Sequence, residues 1–165
     1  KIKFKILKTA MKLIKSLFII SLFLFFPHVP FLYSSEIDIT SDKMQVFESE
    51  GLVVFTGKVF GVRGDLKVWC DQMYVYYTTT QEGKREVSKV VALGKVIIEK
   101  GKWKAYAGKA VYFKNQEKLV LEETPKVWHD KNLVEGDIVT IYFNEEKSEV
   151  LAKDQGRVRA RVYFE

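Results

Sequence analysis

Residues 89–113 read KVVALGKVIIEKGKWKAYAGKAVYF, and their pattern decides the fold. Lys89–Leu93, Lys95–Glu99 and Ala110–Phe113 are short runs rich in β-branched and aromatic residues, the composition of a pleated, half-buried surface. Gly94 stands between two such runs, where a residue without a Cβ lets a chain bend or bulge. The corner LGKV at Leu93 has relatives elsewhere: TGKV from Thr56, TPKV from Thr124 and QGRV from Gln155.

Further runs of the same kind lie on either side: Leu52–Phe55, Leu66–Trp69, Met73–Tyr77, Lys118–Glu122, Asp137–Phe143 and Arg157–Phe164. The turn signals ESEG, RGD, EKGK, KNQEK, HDKN and NEEK separate them, and TTTQEGKRE reads as an extended hairpin loop. No window sustains a 3.6-residue period, so the expected class is all-β. A second anchor repeats with the corners, in SDKMQVF from Ser41, CDQMYVYY from Cys70, AGKAVYF from Ala107 and EGDIVTIYF from Glu135. A unit of turn, strand, tip, strand and corner thus recurs about every 30 residues. In this unit Gly57, Gly94 and Gly156 mark the ends of strands. Pro125 is expected to do the same by refusing a ladder hydrogen bond. Asp42, Asp71 and Asp137 recur with the unit and read as turn formers. No helix follows any corner, which excludes a phosphate-cradling glycine loop.

The first 35 residues have a different character. They hold six of the 27 basic residues and no acid, so the rest of the chain carries 21 basic against 21 acidic side chains. The formal charge of +6 therefore belongs to the leader, and no nucleic-acid partner is expected. With Met11 read as the start, MKLIK is a basic n-region, SLFIISLFLFF an apolar h-region and PHVPFLYSS a breaking end. Leu17–Phe26 is shorter than the ~20 apolar residues a membrane span needs. The expectation is an export signal in residues 1–35 and one domain in residues 36–165. Leu32 or Tyr33 at the position three before cleavage keeps an uncleaved anchor open as the alternative.

Nothing in the domain assembles a catalytic set, and the protein is not expected to be an enzyme. His129 stands alone in the turn HDKN. The acid pairs Glu48/Glu50, Glu122/Glu123 and Glu145/Glu146 fall at or near hairpin tips with no histidine, cysteine or serine constellation. Cys70, the single cysteine, permits no internal disulfide and reads as a small buried apolar residue. No cofactor or metal is expected.

The ordered series ITSDKMQVFESEGLVVFTGKVFGVRGDLKVWCDQMYVYY, VVALGKVIIEKGKWKAYAGKAVYF, LVLEETPKVW, LVEGDIVTIYF and GRVRARV resembles the OstA-like domain of the LptA family of periplasmic lipopolysaccharide transport proteins. The resemblance spans Glu36 to Glu165. It implies an open, V-shaped antiparallel β-jellyroll of a dozen or more short strands. It also implies head-to-tail stacking into a bridge between inner and outer membranes, with lipopolysaccharide acyl chains carried in an apolar trough. The partners it implies are an LptC-like inner-membrane component and an LptD-like outer-membrane component. An LptC-like anchored component of the same fold, and a structural β-repeat protein, remain as alternative readings.

Alternation places Ile37, Ile39, Phe55, Val75, Ile98, Tyr112 and Leu121 on the inward, lipid-facing side, with Asp38, Thr40, Lys95 and Glu122 outward. Ile37, Ile39 and Tyr112 also fall where the family's ligand-facing positions align. At the ends of the domain, Arg157, Arg159 and Arg161 share one face of the last strand, and Val158, Ala160 and Val162 share the other. They are expected to pair with EIDITS of a second copy, arginines against Glu36 and Asp38 and valines against Ile37 and Ile39.

Overall fold

The computed structural model describes residues 37–153 and 156–164, all within the unit Ser35–Glu165. The expected leader with Met11, and Glu36, Gln155 and Glu165, lie outside the described residues. Twelve strands make up almost all of the domain: β1 (Asp38–Thr40), β2 (Lys43–Phe47), β3 (Leu52–Arg63), β4 (Leu66–Thr79), β5 (Arg85–Lys100), β6 (Trp103–Phe113), β7 (Lys118–Glu122), β8 (Lys126–His129), β9 (Asn132–Glu135), β10 (Ile138–Tyr142), β11 (Lys147–Leu151) and β12 (Arg159–Arg161). Single turns of 3-10 helix at Glu48–Glu50 and Lys114–Gln116 cap two hairpins.

The pairings resolve into eight chain passes, each crossing two halves of one antiparallel sheet. β3, β4, β5 and β6 each run unbroken through both halves, whereas β1/β2, β7/β8, β9/β10 and β11/β12 are passes divided at the bend. In one half the order is β2-β3-β4-β5-β6-β7-β10-β11; in the other it is β1-β3-β4-β5-β6-β8-β9-β12. Each pass lies beside its predecessor in both halves. The first and last passes do not pair with each other among the described residues, so the sheet stays open. The open antiparallel jellyroll is therefore present, with longer strands than the sequence runs indicated. The TTTQEGKRE segment does hold the hairpin loop, confined to residues 80–84, while its ends extend the β4–β5 hairpin to Thr79 and Arg85.

The repeated corners are bulges in continuous strands. Gly57 and Lys58 of β3 face the single residue Asp71 of β4, between the register pairs Thr56↔Gln72 and Val59↔Cys70. Gly94 and Lys95 of β5 face Gly108 of β6, between Leu93↔Lys109 and Val96↔Ala107. Two residues against one is the definition of a β-bulge, and it bends the strand. Both bulges take two left-handed residues in succession, Gly57 (φ 83°) with Lys58 (46°) and Gly94 (77°) with Lys95 (47°).

Each of these glycines leaves space for an acid on the preceding pass. A Cβ on Gly57 would stand 2.5 Å from Asp42 Oδ2, and one on Gly94 would stand 2.9 Å from Asp71 Cβ. The third pair reverses the order: Gly108 comes first, and Glu123 of the following pass lies over it. In the fourth, Asp137 Oδ2 lies 3.1 Å from a Cβ on Gly156 and accepts the Lys153 N–H at 2.6 Å. The roughly 30-residue repeat is thus one acid packed over one glycine for each pair of passes, and the aspartates do more than form turns.

The other two corners differ in detail. At TPKV the left-handed pair is Glu123 (φ 63°) and Thr124 (58°), not Pro125, which is fully buried just past the bend. Gly156 lies in the irregular stretch between β11 and β12.

Alternation sends one side of every pass between the halves. Phe55, Met73, Ala92, Leu121 and Val139 from one half join Val59, Cys70, Val96, Ala105 and Val127 in a single buried cluster. Gly61 fits among them because a Cβ there would already touch Ile39 Cγ1 and Met73 Cε, both at 3.7 Å, from opposite halves.

Candidate functional site

The inner face is the one extended apolar surface that all eight passes build together. Register defines it row by row. Farthest from the Arg63 end, one row runs from Val46 through Val53, Val75, Val90, Tyr112, Leu119 and Ile141 to Ser148, with no charge in it. The next holds Met44, Phe55, Met73, Ala92, Ala110, Leu121, Val139 and Val150. Beyond the corners come Val59, Cys70, Val96 and Ala107, and then Ile39, Gly61, Val68, Ile98, Ala105, Val127, Val134 and Ala160. Four rows two residues apart, at about 3.3 Å per residue, give an apolar run on the order of 20 Å.

Of the seven lining candidates, six lie on this face. Leu121 is fully buried and Phe55 nearly so; Ile39, Val75 and Ile98 are half-buried against the core cluster. Tyr112 is half-buried and meets Phe143 edge-on at 6.3 Å. Ile37 precedes β1 and is 51% exposed. Residues assigned outward also behave so: Glu122 accepts an ion pair from Lys109 at 2.7 Å, and Lys95 is exposed at its bulge.

Sequence reasoning missed the apolar side chains of edge strand β2. Met44 and Val46 share the lining rows, yet they are 59% and 44% exposed, because no strand covers that edge. The signal lay in MQVF, where alternate residues are apolar, but its inward parity follows only from the pairing with Phe55 and Val53. An exposed apolar residue at an open seam, next to fully buried ones, grades the face from closed core to accessible lining.

The remaining chemistry is quiet. Burial, then the charge of neighbouring Asp71, pushes the Cys70 thiol up to about 11, which leaves it protonated and inert at neutral pH. No group of metal-ligating side chains occurs among the described residues. Glu48 pairs with Arg85 at 2.7 Å; Glu50, Glu145 and Glu146 are exposed, and Glu122 and Glu123 lie at the bend that ends β7 rather than at a hairpin tip, Glu122 half-buried and Glu123 exposed. His129 stacks on Trp103 with ring centroids 4.3 Å apart.

The terminal edges are shorter than the sequence runs implied. β12 is only Arg159–Arg161, so Arg157 and Val158 lie outside the strand. Its alternation is as expected: Ala160 opposes Val134 on the inner face, while Arg159 opposes Glu135 on the outer, 4.0 Å from its carboxylate. Among the described residues β1 pairs only with β3 and β12 only with β9, which leaves one side of each strand free.

Comparison with known proteins agrees with this architecture. The crystal structure of LptH, described as the LptA homologous periplasmic component of the conserved lipopolysaccharide transport device from Pseudomonas aeruginosa, superposes with a TM-score of 0.66 at 19% identity, covering 78% of this chain and 96% of that one. No curated protein is significantly similar in sequence. The family described as LptA/(LptD N-terminal domain) LPS transport protein matches residues 38–147, two-thirds of the chain. A transport family agrees with the lack of any catalytic constellation in the sequence. The chain belongs to the LptA/LptD N-terminal domain family of lipopolysaccharide transport proteins.

Proposed function

We propose that the protein is a periplasmic carrier that shelters the acyl chains of lipopolysaccharide between its two half-sheets and hands them along a bridge toward the outer membrane. The observation that carries this reading is the uncharged inner face, four rows deep, that stays open at its edges. Exposing a chain of about a dozen carbons to water costs roughly 10 kcal/mol at ~0.8 kcal/mol per CH₂. Alternating strands that do not close offer a surface to recover that cost. Ile37, Ile39, Phe55, Val75, Ile98, Tyr112 and Leu121 are the proposed lipid contacts, with Met44 and Val46 added at the seam.

The free sides of β1 and β12 support the rest of the proposal. They lie at opposite margins of the same half-sheet, and Ile37, Val158 and Val162 beside them are 51%, 44% and 52% exposed. A second copy adding β1 to β12 would continue the lining across the joint, and such a heterologous contact extends without closing. LptC-like and LptD-like components of the same fold are the partners proposed for the two ends of the bridge.

The test is Ile39→Asp, a half-buried position where a carboxylate either stays desolvated or draws water into the trough. Titrated with lipid A by fluorescent-lipid displacement, the variant should bind at least about tenfold more weakly while its circular dichroism is unchanged. A folded variant with wild-type affinity refutes the proposed lining.

A further inference from the structure

The inner face has a fifth row, and it is unlike the other four. Arg63, Leu66, Lys100, Trp103, His129 and Asn132 are successive partners across β3, β4, β5, β6, β8 and β9. Three of the adjacent pairs, Arg63/Leu66, Lys100/Trp103 and His129/Asn132, close two-residue hairpins at Gly64–Asp65, Gly101–Lys102 and Asp130–Lys131. The first residue of each turn is left-handed, Gly64 at φ 59°, Gly101 at 55° and Asp130 at 53°. Three tips of equal length therefore end on one line, about 4.8 Å from strand to strand. They form one rim across the mouth of the apolar face.

That rim is cationic and aromatic. Segments 63–66, 100–103 and 129–132 hold four basic residues, Arg63, Lys100, Lys102 and Lys131, against Asp65 and Asp130. The tips at the other end, 47–52, 79–85, 113–118 and 142–147, hold five basic against six acidic residues. The contrast sharpens on the inner face itself. The far row has no charge, while this row presents Arg63, Lys100 and His129 on the side where Val68, Ile98, Ala105 and Val127 line the trough. Asp130, the acid nearest His129, is engaged by Lys102 at 3.3 Å, and Lys100 makes no ion pair with any described residue. Trp103 is 50% exposed and stacked on His129, which holds both rings at the mouth.

We infer that this rim binds the phosphate monoester groups of the amphiphile whose acyl chains occupy the trough, and so fixes which end of the ligand faces which end of the protein. The inference rests on the carrier reading. An amphiphile that buries its chains must leave its anionic head at a boundary, and only this boundary carries more cations than acids: at the far tips Lys84, Arg85, Lys114 and Lys147 are engaged by Glu82, Glu48, Glu117 and Glu149. Arg63 and Lys100 supply charge-assisted donors to phosphate oxygens. Trp103 gives the amphipathic surface suited to the junction between apolar chains and a wet head. The neutral far row receives the chain ends.

The experiment uses the whole protein with two probes, bis-phosphorylated lipid A and the same lipid with both phosphates removed. Lys100→Glu and Arg63→Glu should each weaken binding of the phosphorylated lipid by about tenfold to a hundredfold, the range expected for losing one charged hydrogen bond. Binding of the dephosphorylated lipid should change less than about twofold. Lys114→Glu, at the opposite tips, should leave both lipids unaffected. Equal loss for both lipids, or none for either, overturns the rim while leaving the trough standing. If the wild-type protein holds neither lipid, the carrier reading fails and takes the rim with it. Inorganic phosphate is the third arm: binding as tight as that of the phosphorylated lipid assigns the rim to the free ion and overturns the headgroup assignment.

Discussion

Substituting Gly94 by alanine tests whether an acid packed over a glycine sets each bend. Two costs follow from the structure. The backbone at φ 77° is left-handed, which for a residue with a Cβ costs roughly 1–2 kcal/mol. The new Cβ would also stand 2.9 Å from Asp71 Cβ, closer than real Cβ atoms come, so β4 must shift; overpacking of this kind costs about 1–3 kcal/mol. The expected destabilisation is about 2–5 kcal/mol, or on the order of 10 °C in Tm for a domain of this size. Gly64→Ala separates the two terms: its φ is 59°, but nothing lies within 4 Å of the position, so only the backbone cost applies. Asp71→Gly should rescue Gly94→Ala, because it removes the atom that collides. Urea unfolding of the four variants measures all of this, and the pair should fall short of additivity by at least about 1 kcal/mol. If Gly94→Ala costs no more than Gly64→Ala, or adds simply to Asp71→Gly, the corner is held by something other than this contact.

Two further outcomes are expected. The buried Cys70 thiol, pushed up to about 11 from an ordinary 9.0, favours the folded state fully below pH 9, and that contribution is lost as pH rises through 11. Wild-type protein should therefore lose about 2 kcal/mol more than Cys70→Ala over that window in urea unfolding, and equal losses would show the thiol to be solvated. Removing residues 157–165 deletes β12, and concentration-dependent growth in light scattering should vanish while the domain stays folded; persistent long assemblies would exclude pairing through that strand.

Much of this architecture was legible in the sequence because its signals are local. LVVF, KVVAL and AVYF are apolar and rich in β-branched or aromatic residues, enough to assign strands, and GK at residues 57–58 and 94–95 marks the bends. What escaped notice depends on neighbours. KVWH, NLVE and KSEVL are only four or five residues long and become β8, β9 and β11 through their pairing. Pro125 drew attention as a strand breaker, yet the chain turns at Glu123 and Thr124, whose left-handed backbones no residue type announces. Phe55 and Leu121 were legible as apolar strand residues, and their inward parity is fixed by pairing with Met44 and Ala110. The cationic rim was not, because Arg63, Lys100 and His129 are 66 residues apart at the extremes and meet only through four strand registers.

The ordering of the eight passes bears on how the chain acquires its structure. Each pass lies beside the one made just before it, in both half-sheets, so no pass waits for a distant partner. A polypeptide that emerges N-terminus first, from a ribosome or through a membrane channel, can add each strand to a template that is already in place. Such growth avoids the long loop closures that slow most β proteins. It also leaves only one growing edge exposed at a time, which limits the surface open to misassembly with other emerging chains.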